Sequence, residues 1–163
     1  NLETLELLYE YGYRNLYGID QTLFKPDHNV AKVSKGDVKK LPFPSEMFDA
    51  VLNIHAMHHL GDLPDVAIVL DEIRRVLKPE AKFLMIDFCP RFRLKLIFAL
   101  FKIRVLSFTR YMRHYGKQLL AEWDIIHRFL DNYPFIRKML AIQYKDESVV
   151  FDNWHFFIKC TKA

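Results

Sequence analysis

Acidic side chains follow two short extended stretches of this 163-residue sequence. Asp20 closes the stretch 15–20, and Asp37 follows the stretch 30–33. Short apolar runs with polar residues at their C-terminal ends are typical of buried strands, and open α/β sheets bind ligands outside those ends. We therefore expect both carboxylates to contact a ligand. The alternatives are a helix-capping role for Asp20 and an Asx-turn at Asp37.

A histidine cluster follows a third apolar run, residues 50–54. His55, His58 and His59 have the spacing at which imidazoles meet on one helical turn, an arrangement that could bind a metal ion. No cysteine lies nearby, and we predict no metal. Since an imidazole titrates near neutral pH, His59 could instead remove a proton from a substrate. A structural histidine that bonds to the loop is the alternative.

Composition describes a globular protein of a reducing compartment. Hydrophobic residues make up 51% of the sequence, enough for a sizeable core. The two cysteines, Cys89 and Cys160, lack the spacing of a disulfide framework or a zinc site. No apolar run reaches the roughly 20 residues of a membrane span, and no signal peptide is visible. These features predict a cytoplasmic protein.

Charge is distributed unevenly along the chain. Residues 1–90 carry 10 basic and 14 acidic side chains, whereas residues 91–163 carry 14 basic and 6 acidic ones. Eight of the basic residues and no acid lie between Arg91 and Lys117. This segment is either a solvated basic surface or a patch for anionic lipid, acidic substrate or RNA.

The elements that must position these residues alternate between helical and extended patterns through residue 88. Helices are expected over 1–11 and 63–77, and strands over 15–20, 30–33, 50–54 and 81–88. In the second half, a helix over 117–130 ends at Tyr133-Pro134. Two strands, 136–144 and 153–162, then join through a polar turn at 145–148. Alternation of this kind predicts a single α/β domain over residues 1–163, with a doubly wound, mostly parallel sheet.

The first half of the chain resembles the class I S-adenosylmethionine (SAM)-dependent methyltransferases, in particular the branch with the ubiquinone and menaquinone methyltransferases. The matching pieces are Tyr17-Gly18-Ile19-Asp20, Gly36-Asp37-Val38, Leu41-Pro42-Phe43-Pro44, Phe48-Asp49-Ala50-Val51, His58-His59-Leu60 and Glu72-Ile73-Arg74-Arg75-Val76-Leu77-Lys78-Pro79. Their order and spacing carry the resemblance. It implies a Rossmann-like fold and SAM as cofactor, with S-adenosylhomocysteine as product.

The resemblance also implies roles for individual residues. Positions that match the family's cofactor-binding residues are Asp20, Gln21, Asp37, Val38, Asn53, Ile54 and His55. Asp20 would accept hydrogen bonds from the ribose diol, and Asp37 from the adenine amino group. The segment 53–55 would lie along the methionine part. His59 matches a general base of similar phosphobase methyltransferases, in a reaction that is a direct SN2 displacement onto an O, N or C nucleophile.

Two departures from the family pattern carry expectations. The family's glycine-rich loop and first strand are not found, and we expect them upstream of Asn1. The usual Lys-Pro-Gly-Gly turn is Lys78-Pro79-Glu80-Ala81 here, and we expect this turn to differ locally, because glycine tolerates positive φ more easily.

Residues 89–135 stand where such enzymes place a helical insertion that covers the substrate. Its aromatic residues could line an apolar pocket or be plain core. With the basic residues of 91–117, it fits a small-molecule or lipid-like acceptor reached by peripheral membrane contact. The rival interpretations are a non-catalytic methyltransferase-like partner protein and an RNA methyltransferase that uses the basic half, although we do not expect nucleic acid to bind.

Overall fold

The fold is described from a computed structural model. It describes residues 2–22, 29–60, 62–88, 96, 99–103, 110–152 and 155–163. The chain divides into two compact units, Asn1–Pro44 and Ser45–Ala163. The single domain and the boundaries of the insertion at 89–135 stay predictions, and residues 91–95, 97–98 and 104–109 of the basic segment 91–117 lie outside the described residues.

Unit 1 contains one helix and a parallel strand pair. Helix α1 (Leu2–Glu10) is followed by Gly12, whose φ of 92° is the left-handed conformation expected after a helix. Strands β1 (Leu16–Asp20) and β2 (Ala31–Lys35) pair in parallel, and Asp20 lies opposite Lys35. The parallel pairing brings the carboxyl ends of both strands to one edge of the sheet.

Unit 2 contains a four-stranded sheet in the order β3-β4-β6-β5. Its elements are β3 (Phe48–Ile54), a 3-10 helix (Met57–His59), α2 (Leu63–Val76), β4 (Leu77–Phe88), α3 (Arg110–Ala121), α4 (Trp123–Gln143), β5 (Tyr144–Phe151) and β6 (His155–Lys162). Strands β3 and β4 are parallel, and the two closing strands are antiparallel to their neighbours. Within the described residues, no helix is long and apolar enough to cross a membrane.

The core of unit 2 forms where the sequence predicts it. The buried face of α2 consists of Val66, Val69, Leu70, Ile73 and Val76. Alternate residues of β4 are buried, among them Phe83 and Met85, which are fully buried. The helical stripe and the strand alternation thus both place their apolar side chains inside.

The predicted break at Pro134 is wrong. Helix α4 runs through Pro134 to Gln143, so the strand expected over 136–144 is helical for almost its whole length. The reason is the apolar stripe: Ile136 and Leu140 are fully buried and continue the helical spacing of Phe129 and Tyr133. Burial of these side chains outweighs the backbone hydrogen bond that proline cannot donate.

The polar turn expected at 145–148 is also wrong, because these residues belong to β5. Their turn chemistry appears as an irregularity in the strand. The register against β6 shifts between Lys145 and Ser148, and Asp146 has a φ of 55°. A local bulge therefore takes the place of the predicted turn, and β5 and β6 pair in antiparallel orientation beyond it.

The segment 78–81, expected to be a turn, is part of β4, and Glu80 within it shows how the chain does without the family's glycines. Its φ is 62°, so a glutamate occupies the left-handed conformation that glycine favours. For residues other than glycine this conformation costs free energy. That cost is about 1–2 kcal/mol. The exposed ion pair between Glu80 and Lys145 compensates little of it.

Substitution of Glu80 tests this strain. We expect E80G to raise the free energy of unfolding relative to E80A by about 1 kcal/mol, because both variants lose the Lys145 pair and only glycine relieves the positive φ. Urea denaturation measures the difference. Equal stability of the two variants would show that residue 80 is not strained.

Candidate functional site

The carboxyl edge of the unit 1 sheet carries the two predicted acids. Asp20 ends β1, and Asp37 lies two residues beyond β2. The backbone joins the strand ends, since the Gly36 N–H donates to the carbonyl oxygen of Asp20 at 3.1 Å. Both side chains are exposed, as a ligand contact requires.

Each acid also forms a local turn, which was the alternative for Asp37. Oδ1 of Asp20 accepts from the N–H and the hydroxyl of Thr22, at 2.7 and 2.9 Å. These bonds lower the pKa of Asp20, with the backbone bond contributing most. Oδ1 of Asp37 accepts from the Lys39 N–H at 2.9 Å. In both residues the described bonds use one oxygen, so the other stays open to a ligand.

Gln21 and Val38 flank these acids. The Gln21 side chain is exposed, and Val38 is half-buried beside Asp37. The backbone N–H of Val38 donates to no described residue. An open N–H next to an open carboxylate oxygen gives this edge both a donor and an acceptor.

The end of β3 in unit 2 carries Asn53, Ile54 and His55. Asn53 is 9% exposed, and its Oδ1 is buried without a hydrogen-bond partner among the described residues. Nδ1 of His55 is likewise buried without a hydrogen-bond partner among the described residues. A buried polar atom without a partner costs about 1–3 kcal/mol, so both atoms mark a place that a polar ligand would stabilise.

The backbone at His55 is held in an unusual conformation. Its φ is 50°, and its N–H donates to the carbonyl oxygen of Ile86 at 2.9 Å. The ring packs against Phe88 and His155, with centroids 5.2 and 4.8 Å away. Burial, followed by the neighbouring His155 and His58, lowers the pKa of His55, and Asp87 opposes this in part.

His58 forms a buried pair with Asp87 that sequence reasoning missed. Nδ1 of His58 lies 2.7 Å from Oδ1 of Asp87, and the side chains are 3% and 0% exposed. Both oxygens of Asp87 also accept hydrogen bonds from backbone N–H groups, so Asp87 is taken as the acceptor and the proton between the two side chains is assigned to Nδ1. A signal was present: Asp87 is an acid on the otherwise apolar buried face of β4, and a buried acid needs a partner.

His59 faces outward from the same 3-10 helix. The residue is exposed, and its ring centroid lies 4.1 Å from that of His58. Partial loss of solvation, followed by the charge of His58, lowers the pKa of His59 below its usual value near 6.5. His59 is therefore unprotonated at neutral pH, which is the state a general base needs.

The structure brings together three possible metal ligands, which include His55 and His58 but not His59. Ligand atoms of His55, His58 and Asp87 lie within 4.8 Å of one another. Asp87 nevertheless already accepts three hydrogen bonds, from the His58 N–H, from His58 Nδ1 and from the Phe88 N–H. The expectation of no metal stays a prediction.

Cys160, the cysteine that the structure describes, does not contribute nucleophilic chemistry to this site. Cys160 is fully buried, and burial raises the pKa of its thiol to about 12. At that pKa a thiolate nucleophile is not formed near neutral pH. Cys89 lies outside the described residues.

Comparison with known proteins identifies the family. Residues 3–85, half of the chain, match the family model described as a methyltransferase domain. The chain belongs to the class I SAM-dependent methyltransferases. SAM is the cofactor of this methyltransferase family.

Curated relatives are methyltransferases that act on different molecules. A fatty-acid O-methyltransferase of Mycolicibacterium smegmatis is 42% identical over 67 residues, which is 40% of this chain and 23% of the relative. A demethylmenaquinone methyltransferase of Symbiobacterium thermophilum is 30% identical over 114 residues, 68% of this chain and 44% of the relative. The matches to this chain thus span less than half the length of these relatives.

Solved structures confirm the Rossmann-like α/β fold. A protein of Pyrococcus horikoshii superposes with a TM-score of 0.61 at 19% identity and covers 97% of this chain and 76% of its own. A SAM-dependent methyltransferase of Methanosarcina mazei gives 0.60 at 16% identity, with coverage of 98% and 86%. The predicted fold class and family are confirmed.

Proposed function

We propose that this methyltransferase transfers the methyl group of SAM to a lipid-like small molecule. The observation that carries the proposal is the shared character of the relatives' substrates. Their names specify a fatty acid, demethylmenaquinone and, in Gibberella zeae, a sterol. All three are largely apolar molecules, although the accepting atom is oxygen in one and carbon in another.

For the adenosine part of the cofactor, the proposal assigns residues of unit 1. Asp20, with Gln21 beside it, binds the ribose hydroxyls through the open carboxylate oxygen. Asp37 accepts from the adenine amino group, and the open N–H of Val38 donates to the ring. The exposed acids and the open N–H described above support these roles, because they supply the acceptors and the donor that adenosine requires.

For the methionine part, the proposal assigns Asn53, Ile54 and His55 of unit 2. The two orphaned atoms, Asn53 Oδ1 and His55 Nδ1, fit a ligand that carries an ammonium and a carboxylate group. Asn53 Oδ1 would accept from the ammonium group. The residues present therefore fit SAM on the evidence of their own unsatisfied polar atoms.

The chemistry divides between cofactor and protein. SAM, when bound, supplies a methyl group that is already electrophilic. The protein has to orient the acceptor and exclude water. For an acceptor with an O–H or N–H, it also has to remove a proton, and we assign that step to the imidazole of His59.

Replacement of Asp20 with alanine tests cofactor binding. We expect D20A to weaken binding of S-adenosylhomocysteine about 10- to 100-fold, since hydrogen bonds to a charged acceptor contribute about 1.5–3 kcal/mol. Calorimetry on the full chain measures this. Asp49, an exposed acid paired with Lys78, offers the matched control, and D49A should bind as the wild type does.

Two outcomes would contradict the proposal. No binding of S-adenosylhomocysteine to the wild type would favour a non-catalytic partner protein. Binding that D20A leaves unchanged would remove Asp20 from the site.

An RNA methyltransferase would instead show RNA binding that falls steeply with salt. Peripheral membrane contact through 91–117 and a cytoplasmic location are further proposals, based on charge and cysteine pattern.

A further inference from the structure

Asp87 is a fully buried acid whose hydrogen bonds converge on the histidine turn, which we define as residues 55–59. Its Oδ2 accepts from the His58 N–H at 3.2 Å, and its Oδ1 accepts from His58 Nδ1 at 2.7 Å. A third bond, from the Phe88 N–H at 2.8 Å, fixes the carboxylate to its own strand. One side chain of β4 thus holds both the backbone and the ring of a residue 29 positions earlier.

We propose that Asp87 is a positioning residue of the methyl-transfer site, which fixes the histidine turn against the end of β4 so that His59 keeps its place. The role of His59 in this proposal rests on the proposed function. The fixing of the histidine turn by Asp87 rests on the hydrogen bonds alone.

Burial favours positioning over direct chemistry. Asp87 is 0% exposed and the His58 side chain 3%, so neither offers a reactive atom to an acceptor at the surface. His59 is exposed, and its ring lies against that of His58 at 4.1 Å. Since the two residues are adjacent and their rings are in contact, a displacement of His58 displaces His59.

The turn is attached to β4 at two points. The His55 N–H donates to the Ile86 carbonyl oxygen, and His58 bonds to Asp87. At the first of these points the backbone of His55 adopts the left-handed conformation, which costs free energy for a residue other than glycine. Attachment at both ends accounts for the persistence of this conformation, as strained residues require support from their surroundings.

A carboxylate suits this role better than an amide. Asp87 accepts on both oxygens, whereas asparagine has one acceptor and one NH₂ group. In D87N, an amide oxygen placed at Oδ1 turns the NH₂ group towards the His58 N–H, so that two donors face each other. D87N therefore breaks the backbone contact with almost no change in shape.

The experiment measures the histidine turn directly. Hydrogen exchange on the full chain should show that D87N accelerates exchange of the His58 and Leu60 amides about tenfold or more, because a hydrogen bond to a charged group is lost. The rate at which diethyl pyrocarbonate modifies His59 should also change in D87N. Binding of S-adenosylhomocysteine should stay within about threefold. D71N, on an exposed acid of α2 bonded to Gln143, is the matched control and should leave exchange unchanged.

A pair of variants at His58 separates positioning from proton transfer. In H58N the amide NH₂ can replace Nδ1–H and donate to Asp87, whereas H58A has no donor there. We expect H58A to accelerate exchange in the turn and to lower kcat for a demethylated naphthoquinol about 10- to 100-fold, and H58N to restore both in large part. This comparison serves also if D87N fails to fold.

Three results would overturn the proposal. Unchanged exchange in both D87N and H58A would show that the pair does not hold the turn. Loss of kcat in H58N with normal protection of the turn would make His58 itself catalytic. One equivalent of bound Zn²⁺, lost in D87N, would make the pair a metal-ligand set. Failure of methyl transfer in the wild type overturns the proposed function and leaves the exchange result standing.

Discussion

Replacement of His59 with glutamine is expected to lower kcat for methylation of a demethylated naphthoquinol about 10²- to 10⁴-fold. This is the range in which a positioned general base contributes. The hydroxyl of a quinol is un-ionised at neutral pH. When His59 takes its proton, the electron pair of the oxygen drives formation of the bond between the acceptor atom and the methyl group, while the bond from that group to sulfur breaks. For a ring-carbon acceptor, the hydrogen of that carbon then leaves as a proton. Transfer of a radiolabelled methyl group from SAM to the extracted lipid measures the rate.

The acceptor itself supplies the matched control for this variant. A long-chain fatty acid is already a carboxylate at neutral pH and needs no base. We therefore expect H59Q to methylate a fatty acid at close to the wild-type rate, if the wild type accepts one. An equal loss with both acceptors would show that His59 positions the substrate and does not remove a proton.

The pH dependence of the wild type follows from the lowered pKa of His59. The neutral imidazole is the active form, so kcat/KM for the quinol should be constant above about pH 6.5 and fall at lower pH, as His59 becomes protonated. The pKa of His55 is lowered as well, so the H59Q variant is needed to assign the fall in kcat/KM to His59. In that variant the residual kcat/KM should lose this fall, and its persistence would assign the fall to another group.

The free energy of unfolding, measured by urea denaturation at each pH, should change over the same pH range. A histidine whose pKa is lower in the folded state binds more protons when unfolded. Stability is therefore complete above the unfolded value near 6.5 and decreases as the pH falls towards the folded value. His55 and His59 both contribute in this direction.

The local part of the fold could be predicted from the sequence because short-range patterns determine it. The apolar stripe of α2 and the alternation along residues 81–88 place their side chains correctly. Pro134 misled the prediction because proline lowers helix propensity locally, whereas the burial of Ile136 and Leu140 depends on the whole unit. The turn signal at 145–148 failed for a similar reason, since pairing with β6 keeps these residues extended.

The candidate site was predictable to the extent that it lies at strand ends. Asp20, Asp37 and His55 each follow a predicted strand, and the structure places them there. The pair of His58 and Asp87 could not be derived from spacing, because 29 residues separate its members and no local pattern specifies their distance. Only the register of β4 against β3 brings them together.

Loss of the Phe83 ring is expected to have the largest effect on stability. Phe83 is 0% exposed and lies on the central strand β4, between Val51 of β3 and Cys160 of β6. We expect F83A to lower the free energy of unfolding by about 3–5 kcal/mol, since a buried phenylalanine leaves a cavity that a sheet cannot close easily. That is a large share of the total of about 5–15 kcal/mol that small domains have.

Phe157, on the exposed face of the same sheet, supplies the control for F83A. Phe157 on β6 is 37% exposed, so F157A should cost about 1 kcal/mol or less in the same urea denaturation. Phe83, Met85 and Asp87 alternate along β4 and share its buried face. If F83A cost no more than F157A, that face would not be the core. Asp87 would then be accessible to solvent, and its hold on His58 would lose the low-dielectric surroundings that strengthen it.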